Sequence, residues 1–184
     1  MTKVPVVPAE TAGEWRAADG ARLWIRSIRP DDAALEQAFV RGLSAQSRHL
    51  RFMDAIRELS PLQLTRFTRI DLEREVAMVA LQRREDGVEE QVAVARFVTL
   101  PDGEHCEFAL AVADAWQRRG LGRHLMTQLV DLAVQRGLRT MTGEVLAGND
   151  GMLALARSLG FAIEAVPGDP GARRVILTLG RHPA

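Results

Sequence analysis

The sequence predicts an α/β domain of the α+β type, with a mixed, mostly antiparallel central sheet flanked by helices. Three observations carry this prediction. Alternating apolar runs at Arg22–Ile28, Glu75–Gln82, Gln91–Thr99 and His105–Val112 are bounded by Asp-Gly turns at 19–20, 86–87 and 102–103, the pattern of antiparallel hairpins. Beyond Val112 the period becomes helical, with Leu121, Leu125, Leu129 and Leu132 on one stripe. The order then runs strand, helix, strand, strand, so helices must cover the faces of the sheet. A chain of 184 residues is long enough for one domain with a sizeable core.

Residues 1–13 contain Pro5, Pro8 and Gly13 with little periodicity and are expected to form a mobile leader, leaving 14–184 as a single domain. Trp15 and Arg16 pair with Arg22–Ile28, where Leu23 and Ile25 alternate against Trp24 and Arg26. Trp24 is assigned either to the core or to a homodimer face. Pro30 with Asp31 and Asp32 suits a helix start, Leu35, Ala38 and Phe39 supply its buried stripe, and Gly42 ends it. Ser44–Met53 and Ser60–Thr68 have the form of short capped helices. On the first of these, Arg48, His49 and Arg51 form either a solvated face or the wall of an acceptor site that meets acidic groups. After the three hairpin strands comes the helix that Gly137 ends. Thr140–Leu146 is the next strand, and Asn149 caps a helix carrying Met152, Leu153, Leu155, Ala156 and Leu159 up to Gly160. Phe161–Val166 and Arg173–Leu179 are the last strands, separated by P-G-D-P-G.

Composition narrows the function. Twenty-four Lys and Arg balance 24 Asp and Glu, so no net positive field favours nucleic acid or an anionic membrane. Apolar runs break too early to span a bilayer, and no N-terminal signal peptide is recognisable. The single Cys106 forms no internal disulfide; a reducing cytoplasm is the expected compartment. Cys106 alternates away from Glu107 and is expected to be a core thiol. His49, His105, His124 and His182 lack metal-ligand spacing, so no metal is expected.

The chemistry gathers at V-A-D-A-W-Q-R-R-G-L-G, residues 112–122. There a strand runs through Gly120 and Gly122 into a helix, leaving first-turn N–H groups aimed at one point that attracts phosphate. A Walker A loop would need Gly-Lys followed by Ser or Thr, which the turn lacks. A dinucleotide fingerprint would need a third glycine where Leu125 stands, and the preceding antiparallel strands do not make its βαβ unit. What remains, Q-R-R-G-L-G, resembles the acyl-CoA-binding signature Q/R-x-x-G-x-G/A of the GNAT superfamily of N-acyltransferases.

The resemblance extends from Arg22 to Leu179 in the order of elements. N-D-G-M-L-A-L-A-R-S-L-G-F, from Asn149 to Phe161, is similar to the family's second cofactor-contacting helix. I-R-P-D-D from Ile28, G-L-S-A-Q-S-R-H-L-R-F from Gly42 and I-D-L-E-R-E-V-A-M-V-A from Ile70 resemble the catalytic domain of bacterial Pat-type protein lysine acetyltransferases. Those enzymes often carry further domains, for which this chain is not expected to have room. The resemblance implies acetyl-CoA as cofactor. Gln117, Arg118, Arg119, Gly120, Leu121, Gly122 and Arg123 would wrap its pyrophosphate, mainly by backbone N–H groups, with Leu110, Val112 and Asn149 completing the site. The Val112 N–H is the implied oxyanion donor. Trp116, beside the signature, is expected to be a packing anchor at the cofactor mouth.

Acyl transfer needs a neutral amine, and a lysine near its reference pKa of roughly 10.4 faces a deficit of about 4.6 kcal/mol at pH 7. A general base is therefore expected. Glu107 shares its strand face with Ala109 and Ala111, small residues that leave room beside a carboxylate, and its position is similar to that of the glutamate base in several family members. A structural pairing with an arginine is the competing role. Glu144 on the next strand is the second candidate. The family's thiolate-protonating tyrosine has no counterpart: the chain contains no tyrosine, and Ala156 stands at that place, leaving Ser158 or water as donor. The expected function is acetyl transfer from acetyl-CoA to a primary amine, a protein lysine foremost, by direct attack in a ternary complex. The alternatives are a small-amine or antibiotic N-acetyltransferase and a non-catalytic acyl-CoA sensor.

Overall fold

A computed structural model describes residues 13–180. The leader through residue 12 and His182 lie outside the described residues. Gly13, grouped by sequence with the leader, opens the first strand, where it pairs with Ile25.

The strands are β1 (Gly13–Arg16), β2 (Arg22–Ser27), β3 (Glu75–Arg83), β4 (Glu89–Thr99), β5 (His105–Val112), β6 (Thr140–Leu146), β7 (Ala162–Val166) and β8 (Asp169–Thr178). The helices are α1 (Ala33–Gly42), α2 (Ala45–Phe52), α3 (Pro61–Thr68), α4 (Leu121–Gln135) and α5 (Asp150–Ser158). Among the described residues the sheet has eight strands, in the order β1-β2-β3-β4-β5-β6-β8-β7. Every pairing is antiparallel except β5 with β6. The mixed, mostly antiparallel sheet expected from the hairpin turns is the one observed. β8 starts at Asp169, so the turn after β7 is tighter than the P-G-D-P-G run suggests.

Alternation sends side chains to two cores. On one face, Leu121, Leu125, Met126 and Leu129 of α4, with Leu153 and Ala156 of α5, pack on Phe97, Cys106, Met141 and Val175. On the other, Phe39 and Val40 of α1 and Leu59 ahead of α3 pack on Val79, Leu81, Val94 and Ala111. No helix among the described residues is long and apolar enough to cross a membrane. Trp24 is 47% exposed and so lies outside both cores.

The start of α1 differs from the sequence expectation. Pro30–Asp32 forms a 3-10 turn, and Asp32 is not a solvated first-turn acid. Its carboxylate accepts from Arg26 Nη1 and Nη2, both at 2.7 Å, and from the Arg29 N–H at 2.7 Å. Arg26, which alternation placed with the outward residues, is therefore only 8% exposed. A bidentate partner makes that burial tolerable.

One feature of the sheet positions the site. β5 and β6 pair only at His105–Glu107 against Thr140–Thr142. Beyond them the strands part, and the Phe108 ring packs over Gly143, 2.6 Å from where a Cβ would stand.

Candidate active site

The gap between β5 and β6 sets which backbone groups are free. The Ala113 N–H donates to Val92 O at 2.8 Å, and the β4–β5 register continues through Ala111 with Val94 and Ala109 with Arg96. Alternation then turns the N–H and C=O groups of Leu110 and Val112 away from β4, toward the side that β6 has left. The same alternation puts the side chains of Leu110 and Val112 against the α4–α5 face and those of Glu107 and Ala109 on the α1–α3 face.

The chain leaves β5 through a 3-10 turn at Asp114–Trp116 and enters α4 at Gly120. Arg118 and Gly120 take left-handed φ values of 59° and 89°, which curl the backbone into a cradle. His124 is the first residue whose N–H reaches a helical acceptor, Gly120 O at 3.0 Å. The amides of Leu121, Gly122 and Arg123 therefore have no partner inside the helix, and they open beside the gap. A Cβ on Gly122 would meet Leu110 Cδ2 at 3.4 Å, Leu155 Cδ2 at 3.5 Å and Val112 Cγ2 at 3.8 Å. Glycine keeps that corner open.

A cavity of roughly 690 Å³ follows the gap. The signature contributes Gln117, Arg118, Gly120, Gly122 and Arg123 to its wall; β5 contributes Glu107 and Phe108 to Val112; Glu144 and Val145 of β6 and Asn149 of the α5 cap complete that side. Both carboxylates of interest thus border the same space. Neither has an ion-pair partner among the described residues, so the competing role for Glu107, a pairing with arginine, is not what is observed. Asn149 spends its side-chain oxygen on the Met152 N–H at 3.1 Å, capping α5.

Three signature side chains are used otherwise than a phosphate cradle alone would need. Arg119 pairs with Asp19 of the β1–β2 turn and lies 4.2 Å over the Trp116 ring, so only its backbone faces the turn. Leu121 is fully buried in the core and likewise offers only its amide. Gln117 Nε2 donates to Val112 O at 3.0 Å and Ser47 Oγ at 3.1 Å, so this side chain ties the signature to β5 and α2. Trp116 is buried at 5% and anchors the turn, though it does not border the cavity.

Sequence reasoning missed the group that holds α2 there. Asp114 accepts from the Ser44 N–H at 2.9 Å, Ser44 Oγ at 2.7 Å and Ser47 Oγ at 2.8 Å. Partial burial works against its charge, but these bonds win and hold its carboxyl below the ordinary carboxylate range. The only sequence signal was Ser44 as an N-cap. Of Arg48, His49 and Arg51, only Arg51 borders the cavity. Arg48 donates to Arg41 O at 3.2 Å and to Leu43 O, and His49 is exposed. Ser158 Oγ donates to Leu155 O at 2.7 Å and does not border the cavity, so it is not placed to protonate a thiolate there. Cys106 is fully buried, and burial pushes its thiol up to about 12, which suits a core residue.

The cradle, the open amides and the two signature arginines that border the cavity fit the pyrophosphate of acetyl-CoA, and the gap in the sheet fits an extended chain ending in a thioester. Comparison with known proteins agrees. The profile of the acetyltransferase (GNAT) family matches residues 46–161. A curated acetyltransferase of Pseudomonas aeruginosa is 36% identical over 151 residues, 82% of this chain and 81% of its own length. A 54-residue stretch, 29% of this chain and 36% of the relative, is 46% identical to the ribosomal protein bS18-alanine N-acetyltransferase of Escherichia coli. Among solved structures, the GNAT domain of S. lividans PAT superposes with a TM-score of 0.83 at 26% identity, covering 94% of this chain and 99% of that one. An acetyltransferase of Salmonella typhimurium solved with its cofactor acetyl-CoA shares the fold, at a TM-score of 0.67 and 22% identity over 88% of this chain and 96% of that one. A cradle at the head of α4, a sheet that parts beside it and a family profile spanning both make this chain a member of the GNAT acetyltransferase family, an acetyl-CoA-dependent N-acetyltransferase.

Proposed function

We propose that the chain acetylates the side-chain amine of protein lysines by direct attack within a ternary complex, with Glu107 as general base. One observation carries this reading: the Glu107 carboxylate and the outward N–H of Val112 belong to one strand and border one cavity, beside the cradle. Acetyl-CoA supplies the activated acetyl thioester. Backbone amides of residues 118–123 hold its pyrophosphate, with Arg118 and Arg123 adding positive charge at the cavity wall. Glu107 takes the proton that an ammonium acceptor must lose, with Glu144 across the gap as the second candidate. The Val112 N–H donates to the carbonyl oxygen as it gains charge. The departing thiol has a pKa near that of cysteine, about 8.5, so it leaves as thiolate or takes its proton from water without a tyrosine. The resemblance of the stretches from Ile28, Gly42 and Ile70 to Pat-type protein lysine acetyltransferases supports a protein lysine as acceptor, and the S. lividans PAT domain is similar in fold. The bS18-alanine N-acetyltransferase stretch supports a second reading, in which the acceptor is a protein's N-terminal amine.

Thiol release should be measured with lysine peptides, free N-terminal peptides and small amines. Turnover restricted to small amines overturns the protein-acceptor reading. Glu107→Gln should lower kcat by about 10²–10⁴-fold while leaving the Kd for acetyl-CoA unchanged, and its residual rate should keep rising with pH toward the lysine value of roughly 10.4. An unchanged kcat transfers the base role to Glu144.

A further inference from the structure

We propose that Arg51 makes the acceptor site selective for amines with a carboxylate beside them, such as a lysine flanked by aspartate or glutamate; this rests on the cavity being the acceptor site. Arg51 lies one residue before the end of α2 and borders the cavity from the side opposite the α4–α5 face. Neighbouring arginines already have acceptors. Arg48 donates to carbonyls at the end of α1, Arg66 holds Glu75 at 2.8 Å, and Arg96 donates to Phe67 O at 3.1 Å while stacking 4.6 Å over the Phe67 ring. For Arg51, no carboxylate or carbonyl among the described residues accepts from the guanidinium. Its one specific neighbour is the Phe52 ring, 4.8 Å away.

Arg51 is half-buried at the cavity wall, where a guanidinium without an anion is poorly compensated, and the like charge of Arg96 adds to this. Glu36 offsets part of this, but its Oε2 already accepts from Gln91 Nε2 at 2.5 Å. Burial, then the repulsion of Arg96, bring the Arg51 guanidinium down to about 10, which leaves it a full cation at neutral pH. A carboxylate entering the cavity from the α2 side would supply the missing partner through bidentate, charge-assisted bonds. Glu107 of β5 and Glu144 of β6 border the same cavity. The cavity is thus bipolar: the carboxylates draw the acceptor's ammonium, and Arg51 draws an anion held beside it. The cradle cations Arg118 and Arg123 belong to the signature and face the donor, which assigns Arg51 to the acceptor.

Two peptides of one sequence test this, each with a single lysine flanked on both sides by aspartate or by asparagine. Their Kd values are measured on the protein with and without CoA, and their kcat/KM values by thiol release. Wild type should bind the aspartate peptide at least about tenfold more tightly, equivalent to about 1.4 kcal/mol. Arg51→Gln should bring the ratio near one, Arg51→Lys should keep part of it, and both should retain the wild-type Tm and Kd for CoA. A wild-type ratio of one overturns the proposal, as does a preference that survives in Arg51→Gln. An Arg51-dependent binding preference without thiol release from either peptide sustains this proposal and defeats the lysine-transfer reading. Equal binding and equal kcat/KM for the two peptides do the reverse.

Discussion

Gly120 and Gly122 stand two residues apart at the head of α4, and alanine should act on them in opposite ways. At Gly122 the backbone is helical, and the added Cβ makes contacts of 3.4–3.8 Å with Leu110, Leu155 and Val112. Those are ordinary to slightly tight packing distances. Alanine is favoured over glycine in a helix by about 1 kcal/mol, so Gly122→Ala should fold with unchanged stability or gain up to about that amount. The same methyl group occupies the open corner of the cradle, where the donor must approach the backbone. Losing one charge-assisted bond from an amide costs about 1.5–3 kcal/mol, or about 10- to 150-fold in the Kd for acetyl-CoA. At Gly120 the added Cβ meets only Trp15 Cζ2, at 3.9 Å, so crowding is absent and the cost is conformational. Holding a non-glycine residue at φ 89° costs about 1–2 kcal/mol, which for a domain of this size lowers Tm by about 2–8 °C. Calorimetric melting of both apo variants with titration of acetyl-CoA separates the two effects. A Gly122→Ala protein that binds acetyl-CoA like wild type refutes the placement of the donor against this turn. A Gly122→Ala protein that melts several degrees lower refutes the packing estimate.

Two further expectations concern charge. Burial opposes the Asp32 charge, yet its bonds from Arg26 and Arg29 hold the carboxyl below the ordinary range. A depressed carboxyl contributes stability that is present above the unfolded value of about 3.9 and lost as pH falls toward the folded value. Asp32→Asn should thus lose about 3–5 kcal/mol at pH 7 and show a shallower acid limb in urea midpoints between about pH 5 and 3; an acid limb as steep as wild type's refutes the assignment. Asp114→Ala removes the acceptor of three bonds from Ser44 and Ser47, and should raise the KM for the acceptor more than the Kd for acetyl-CoA. Proportional changes in both would show that α2 is not positioned through Asp114.

Much of the fold was legible because its signals are local. Asp-Gly turns, two capping serines and a leucine stripe each act within a few residues, and each element they predict is present. The glycine signature was legible for the same reason: a strand–turn–helix junction turns consecutive amides toward one point by itself. The misplacements came where distant partners decide. Arg26 alternates outward by pattern, but Asp32 draws it in. Arg119 keeps its amide in the signature turn, while Asp19, a hundred residues earlier, takes its side chain. Gln117 carries the signature's first position, yet its side chain belongs to α2 and β5.

The sequence alone determined the cradle, the strand bearing Glu107 and the alternation that turns Glu107 and Leu110 to opposite faces, since backbone period and glycine conformation are properties of short segments. Tertiary structure decided which carboxylates share a cavity, because β5 and β6 part only after Glu107, where Phe108 occupies the space over Gly143. It also decided which of three neighbouring basic residues borders the cavity. Arg48, His49 and Arg51 are alike in sequence, and only the packing of α2 against the sheet separates the one that meets carbonyls from the one that is exposed and the one left without an anion.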